Sequence, residues 1–150
     1  DLYSNLLAAI EEEMLIAHRA PIVPSPATWQ DVMRVMIGRG ARHFAADAAA
    51  RQLLIGPKTP PDLKIQDRHS DLTLGQVFEE QVSTCFELPA LDNRSKIFFR
   101  ALEIVDLMFS LSMLEHGHIT EEMREEAVRA SVAYLECYLP KRLPKKRRSR

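Results

Sequence analysis

Apolar residues along this chain recur every three or four positions from its first residues to about residue 139. That is the spacing of helix faces, and no stretch shows the strict alternation of a strand. In residues 1–18, Leu2, Tyr3, Leu6, Leu7, Ile10, Met14 and Ala17 form one broad stripe, and the prolines of "APIVPSP" then forbid continuation. A second helix is predicted from Thr28, with Asp31 three residues on in capping-box spacing and Trp29, Val32, Met33, Met36, Ile37 and Phe44 on its apolar face. Gly38 and Gly40 weaken it by roughly 1 kcal/mol each relative to alanine. A crossing helix or a local bend would account for them, and a bend favours a cavity. A short helix over about 45–55 follows, then a proline-rich connection over about 56–66, the longest irregular stretch and the expected mobile gate.

A fourth helix is predicted over about 67–87, with Leu72, Leu74, Val77, Phe78, Val82 and Phe86. "LPALDN" breaks the chain, and Asp92 or Asn93 is placed to cap the next helix. Residues 94–116 are apolar on nearly every side, so this helix must be covered all round, either centrally or at an interface. Residues 121–139 carry two stripes. Val128, Val132, Leu135 and Leu139 are assigned to the domain's own core. Ala127, Ala130, Ser131, Tyr134 and Tyr138 are assigned to a partner, because small residues let another helix approach closely. With Leu111 and Leu114 joining that face, the last two helices predict a homodimer through a four-helix interface. The predicted fold is all-α, a bundle of about six helices over residues 1–140.

Composition narrows the function more than it names it. With 150 residues, 46% hydrophobic and 27% charged, the chain suits one soluble domain. The most apolar run carries Arg100, Glu103 and Asp106, so no membrane span is expected, and a reducing cytoplasmic setting is the default for two distant cysteines. Seven of the 20 basic side chains lie in the last ten residues, so the other 140 hold 13 basic against 21 acidic groups, a formal charge of −8. Such a body repels nucleic acid. Residues 141–150 are read as a basic, disordered tail. The chain starts already inside a helix and without methionine, which is read as a segment missing on the N-terminal side.

Catalytic signatures are sparse. No glycine-rich phosphate loop and no Gly-x-Ser-x-Gly elbow occurs. Cys85 and Cys137 lie among apolar positions and are read as buried, inert thiols. Glu115 and His118 have the Glu-x-x-His spacing that di-iron bundles use twice. The other histidines follow Leu15, Gly40, Gln66 and Met113 by three positions, so no second copy exists, and Gly117 interrupts the first. No metal, no cofactor and no enzymatic activity is expected. "LEHGHITEE" is read instead as a helical hairpin turn, with Gly117 in a left-handed position and Thr120 as the next N-cap. Asp106, midway along the most apolar helix, is expected to pair with Arg39, Arg42 or His43, either as a satisfied core carboxylate or as a polar anchor in a ligand pocket. Trp29, Met33, Met36, Ile37, Phe44, Phe78, Val82, Phe86, Met108 and Phe109 are the candidate lining of such a pocket, or simply core.

"SLSMLEHGHITEEMREEAVRASVAYLECYLP" resembles the closing helix pair of TetR-family transcriptional regulators. "DLYSNLLAAIEEEM" is similar to the family's helix that leads from the DNA-recognition helix into the regulatory domain, and "PATWQDVMRVM…RHFAADAAARQLLIG" to the two helices after it. The resemblance covers roughly residues 1–139. It implies a dimeric, all-α domain that binds a small, often apolar effector and controls operator DNA, as a repressor, through an N-terminal helix-turn-helix that this chain does not contain. The rival readings are a pocketless helical interaction module and a helical metalloprotein.

Overall fold

The computed structural model describes residues 1–147, and every regular element among them is helical. The order is α1 (Leu2–Arg19), α2 (Trp29–Ala46), a single turn α3 (Ala48–Ala50) running into a π-helical turn (Arg51–Ile55), α4 (Pro61–Cys85), α5 (Arg94–His116) and α6 (Glu121–Glu136). One isolated bridge joins Phe86 and Lys145. No helix among the described residues is long and apolar enough to cross a membrane.

Short polar side chains set the helix starts by accepting hydrogen bonds from first-turn N–H groups. Thr28 Oγ1 accepts from Asp31 N at 3.1 Å, and Thr120 Oγ1 from Met123 N at 3.1 Å. Asp47 Oδ1 does the same for Ala50 N, also at 3.1 Å. Asn93 precedes α5 but makes no side-chain cap. Its backbone is left-handed (φ 56°), and its carbonyl oxygen accepts from Lys96 N and Ile97 N. The expected gate over 56–66 is shorter than its prolines suggest, because Pro61 lies in the first turn of α4, where its missing N–H costs nothing. The connection is tight: a Cβ on Gly56 would lie 2.5 Å from the Gln52 carbonyl oxygen, so only glycine fits.

α5 packs most extensively against α6 and α4, α1 lies on α4 and α2, and α2 also reaches α6. Gly75 permits the closest of these approaches: a Cβ there would sit 2.9 Å from Phe99 Cα. Within the single chain α5 is not covered all round. Leu107, Leu111 and Leu114 on its outer side remain 54%, 38% and 65% exposed.

Residues 141–147 also depart from expectation. They fold back on the bundle rather than trailing away, because the end of α4 and the segment after it offer free backbone partners. Glu87 N donates to the Pro144 carbonyl oxygen at 2.8 Å, and Lys146 N to the Cys85 carbonyl oxygen at 2.9 Å. Leu143 packs against the core, while Trp29 Nε1 donates to the Pro140 carbonyl oxygen at 3.0 Å. The rest of the basic tail, residues 148–150, lies outside the described residues.

Candidate functional site

The inner face of α1 is Leu7, Ile10, Met14 and His18, spaced to form one stripe, and its last two members reach the middle of the bundle. His18 is 1% exposed and stacks on Phe78 with ring centroids 5.7 Å apart. Its Nδ1 lies 2.7 Å from the Met14 carbonyl oxygen and its Nε2 3.1 Å from that of Met36. Burial pushes the imidazole pKa down, so the ring is neutral and carries one N–H for two acceptors. The end of α1 is then pinned from outside: Arg39 Nη1 and Gln81 Nε2 both donate to the carbonyl oxygens of His18 and Ala20.

Beside His18 lies a cavity of about 40 Å³, room for about two or three waters. Met14 and His18 of α1 face Met36, Ile37, Gly40 and Phe44 of α2 across it, and Leu54 of the π-helical turn closes one side. Leu74 and Phe78 of α4, with Leu102, Val105 and Phe109 of α5, complete the apolar wall. Gly40 contributes space: a Cβ there would meet His18 Nε2 at 3.6 Å and the Phe109 ring at 3.8 Å.

Six of the expected lining residues meet here: Met36, Ile37, Phe44, Phe78, Asp106 and Phe109. Five do not. Trp29 turns toward the end of α6 through its bond to Pro140, and Phe86 lies where the C-terminal segment docks. Met33 and Val82 are fully buried and Met108 half-buried in the core, but none of the three lines the cavity. Apolar character selected the core correctly, whereas the rotation of each helix decided which core residues reach the cavity.

The wall also holds a group that sequence reasoning missed. Asp67 and Asp71 of α4 and Asp106 of α5 offer carboxylate oxygens all within 4.8 Å of one another. Asp106 does not pair with Arg39, Arg42 or His43. Its cation is Lys64, whose Nζ stands 3.8 Å from Asp106, 3.8 Å from Asp67, and donates to the Leu54 carbonyl oxygen. Arg39 is committed to the backbone after α1, and His43 Nε2 is buried without a partner. Burial raises the pKa of Asp106 to about 6, opposed by Lys64. Burial first, then the charge of Asp106, raises Asp67 to about 7, and burial first, then the charge of Asp67, raises Asp71 to about 10. The spacing carried the signal: positions 67, 71, 74 and 78 lie on one helical face, so whatever buries Leu74 and Phe78 also buries the two aspartates.

The outer surface of α5 and α6 carries the second expected feature. Leu111, Leu114, Tyr134, Tyr138 and Ala130 retain exposure on it, and Tyr134 and Tyr138 contact edge to face at 5.6 Å. Ala127 and Ser131 do not belong there. Both are 0% exposed within the chain, where α6 packs against α5 and α2, so the close approach that their small size permits is made inside the protomer. The turn between these helices is as expected. Gly117 is left-handed (φ 74°), and Ser112 Oγ donates to the His118 carbonyl oxygen at 2.8 Å and accepts from Thr120 N at 3.0 Å. Glu115, His116 and His118 are exposed. The thiols differ from expectation: Cys85 is half-buried and Cys137 exposed.

Among known families, the one described as "Tetracyclin repressor-like, C-terminal domain" matches residues 27–138. The match runs from the capping segment of α2 to just past α6 and so includes every wall of the cavity except that from α1. No curated protein and no solved structure gives a match.

Proposed function

Because this chain belongs to the Tetracyclin repressor-like, C-terminal domain family, we propose that it is the effector-binding and dimerisation domain of a transcriptional repressor, not an enzyme. The observation that carries the reading is the shared cavity wall. α1 contributes Met14 and His18 to a cavity whose other walls belong to α2, α4, α5 and the π-helical turn. A ligand entering there changes the position of α1 relative to the rest, and α1 is the lever to a DNA-binding head. The acidic body makes a separate head the natural partner of DNA phosphate. The effector needs more room than about 40 Å³, since drug-sized ligands occupy roughly 300–1,000 Å³. Binding therefore opens the cavity, and the short π-helical turn that carries Leu54 is the wall we expect to give way. An effector that prefers the opened arrangement by about 1–3 kcal/mol supplies a typical allosteric coupling.

The exposed apolar face of α5 and α6 supports dimerisation. Leu107, Leu111 and Leu114 recur at helical spacing on α5, Tyr138 is exposed just past α6, and two copies of this face would give a self-complementary four-helix contact.

The test is a thermal-shift screen of small aromatic and aliphatic compounds against the native chain and Gly40→Leu, whose side chain would project between His18 and Phe109 and fill the cavity. Compounds that stabilise the native chain but not the folded variant support the site. Compounds that stabilise both equally would place binding elsewhere.

A further inference from the structure

The cavity has one wall whose chemistry an apolar ligand would leave unanswered. Asp67 is 5% exposed and lines the cavity beside Asp71, whose Oδ2 is buried without a hydrogen-bond partner among the described residues. Its cation, Lys64, stands off at 3.8 Å and is shared with Asp106 and the Leu54 carbonyl oxygen. Glu103 Oε1 is buried nearby and likewise meets no hydrogen-bond partner among the described residues. Around this point, among the described residues, Glu11, Asp67, Asp71, Glu103 and Asp106 outnumber the nearby cations Lys64 and Arg68, and Arg68 is drawn off to Glu103 at 3.6 Å. The rings of Phe44, Phe78 and Phe109 line the same cavity.

We propose that the ligand of this cavity is an organic cation, a protonated amine on an aromatic or branched apolar body, whose ammonium group is held by Asp67, Asp71 and Asp106. The proposal rests on the reading of the cavity as the effector site and specifies its ligand class. An ammonium supplies the N–H donors that the buried oxygens lack, each charge-assisted bond being about twice as strong as a neutral one. The phenyl rings receive the apolar body, and their faces favour a nearby cation. An anionic effector would meet unshielded carboxylates. A bare divalent ion fits poorly, because it needs about six oxygens at 2.0–2.6 Å, and beyond these carboxylates the wall is mainly aliphatic and aromatic. The entering ammonium takes the place of protons now shared among the carboxyls, so binding releases protons. Glu11, Glu103, Lys64, Arg68 and the neutral His18 ring are the other titratable groups facing the site.

Isothermal titration calorimetry of the full chain with 2-phenylethylamine and with its neutral counterpart 2-phenylethanol tests this at neutral pH. The amine is expected to bind roughly tenfold or more tightly than the alcohol, with an enthalpy that changes with the ionisation heat of the buffer. Asp67→Asn and Asp71→Asn, each confirmed as folded by circular dichroism, should bring the amine close to the alcohol while leaving the alcohol unchanged. Equal binding of the two probes overturns the cation and leaves an apolar effector site standing. Amine binding indifferent to both variants, no amine binding at millimolar concentration, or stoichiometric binding of magnesium alone that excludes the amine would each overturn it as well.

Discussion

Substituting alanine for Gly75 adds one methyl group where α4 crosses close to the backbone of α5. The new Cβ would lie 2.9 Å from Phe99 Cα and 3.0 Å from Phe99 N, where comfortable carbon contacts are about 3.5–4.0 Å. The neighbours are backbone atoms of α5, so no side chain can swing aside, and α4 and α5 must separate by roughly 0.5–1 Å to restore contact distance. Overpacking of this kind costs about 1–3 kcal/mol, set against up to about 1 kcal/mol gained by removing a glycine from a helix interior. A net loss of about 1–2 kcal/mol follows, which lowers Tm by roughly 2–8 °C in a domain of this size. Gly38→Ala is the matched control. There a Cβ meets only the Arg42 guanidinium at 3.4 Å, a mobile group, so the helix-propensity gain of up to about 1 kcal/mol should survive. Both variants are to be melted by circular dichroism at one protein concentration, because dimerisation would couple stability to concentration. Gly75→Ala as stable as the native chain, or Gly38→Ala less stable than Gly75→Ala, would refute the packing described for α4 and α5.

Asp71→Asn removes a carboxyl whose folded pKa is raised by burial. The native chain keeps that proton at pH values where the unfolded chain has lost it, so the wild-type side chain costs nothing below about pH 4 and progressively more as pH rises. The variant should therefore be more stable than the native chain by about 1–3 kcal/mol at pH 8, with the gap closing near pH 4 in urea titrations. Leu114→Glu, at a 65% exposed position, should leave the protomer folded and shift sedimentation from dimer to monomer. Trp29→Phe loses the bond to Pro140 and should cost about 1 kcal/mol, with faster hydrogen exchange in residues 141–147. Gly117→Ala, in open space but at φ 74°, should cost roughly 1 kcal/mol in thermal melts from backbone strain alone.

The sequence made the helices legible because their faces are strongly periodic and their starts carry side chains with one clear local job, as Thr28 and Thr120 do. It made the hairpin turn legible through Gly117. What it left obscure depends on tertiary geometry. The start of α4 was hidden because proline reads as a breaker, although at Pro61 it opens the helix. With that start displaced, Asp67 stood at a boundary rather than on a buried face, and the aspartate group was lost with it. Asp106 was recognisable from its apolar neighbours, but its partner was not, since Lys64 comes from another helix at a register no local pattern encodes. The same limit sent Ala127 and Ser131 outward: small size marks close approach, and only the packed structure says whether the neighbour is α5 or a second copy.

The claim on which the account turns is that a small molecule enters between α1, α2, α4 and α5 and is felt by α1. Hydrogen–deuterium exchange of the chain, with and without a saturating hit from the thermal-shift screen, addresses it directly. The account expects altered exchange in the second half of α1 around Met14 and His18, in α2 around Met36 to Phe44, and in the π-helical turn, the segments that wall the cavity. Changes confined to the outer face of α5 and α6 or to the docked C-terminal segment, with α1 untouched, would contradict it.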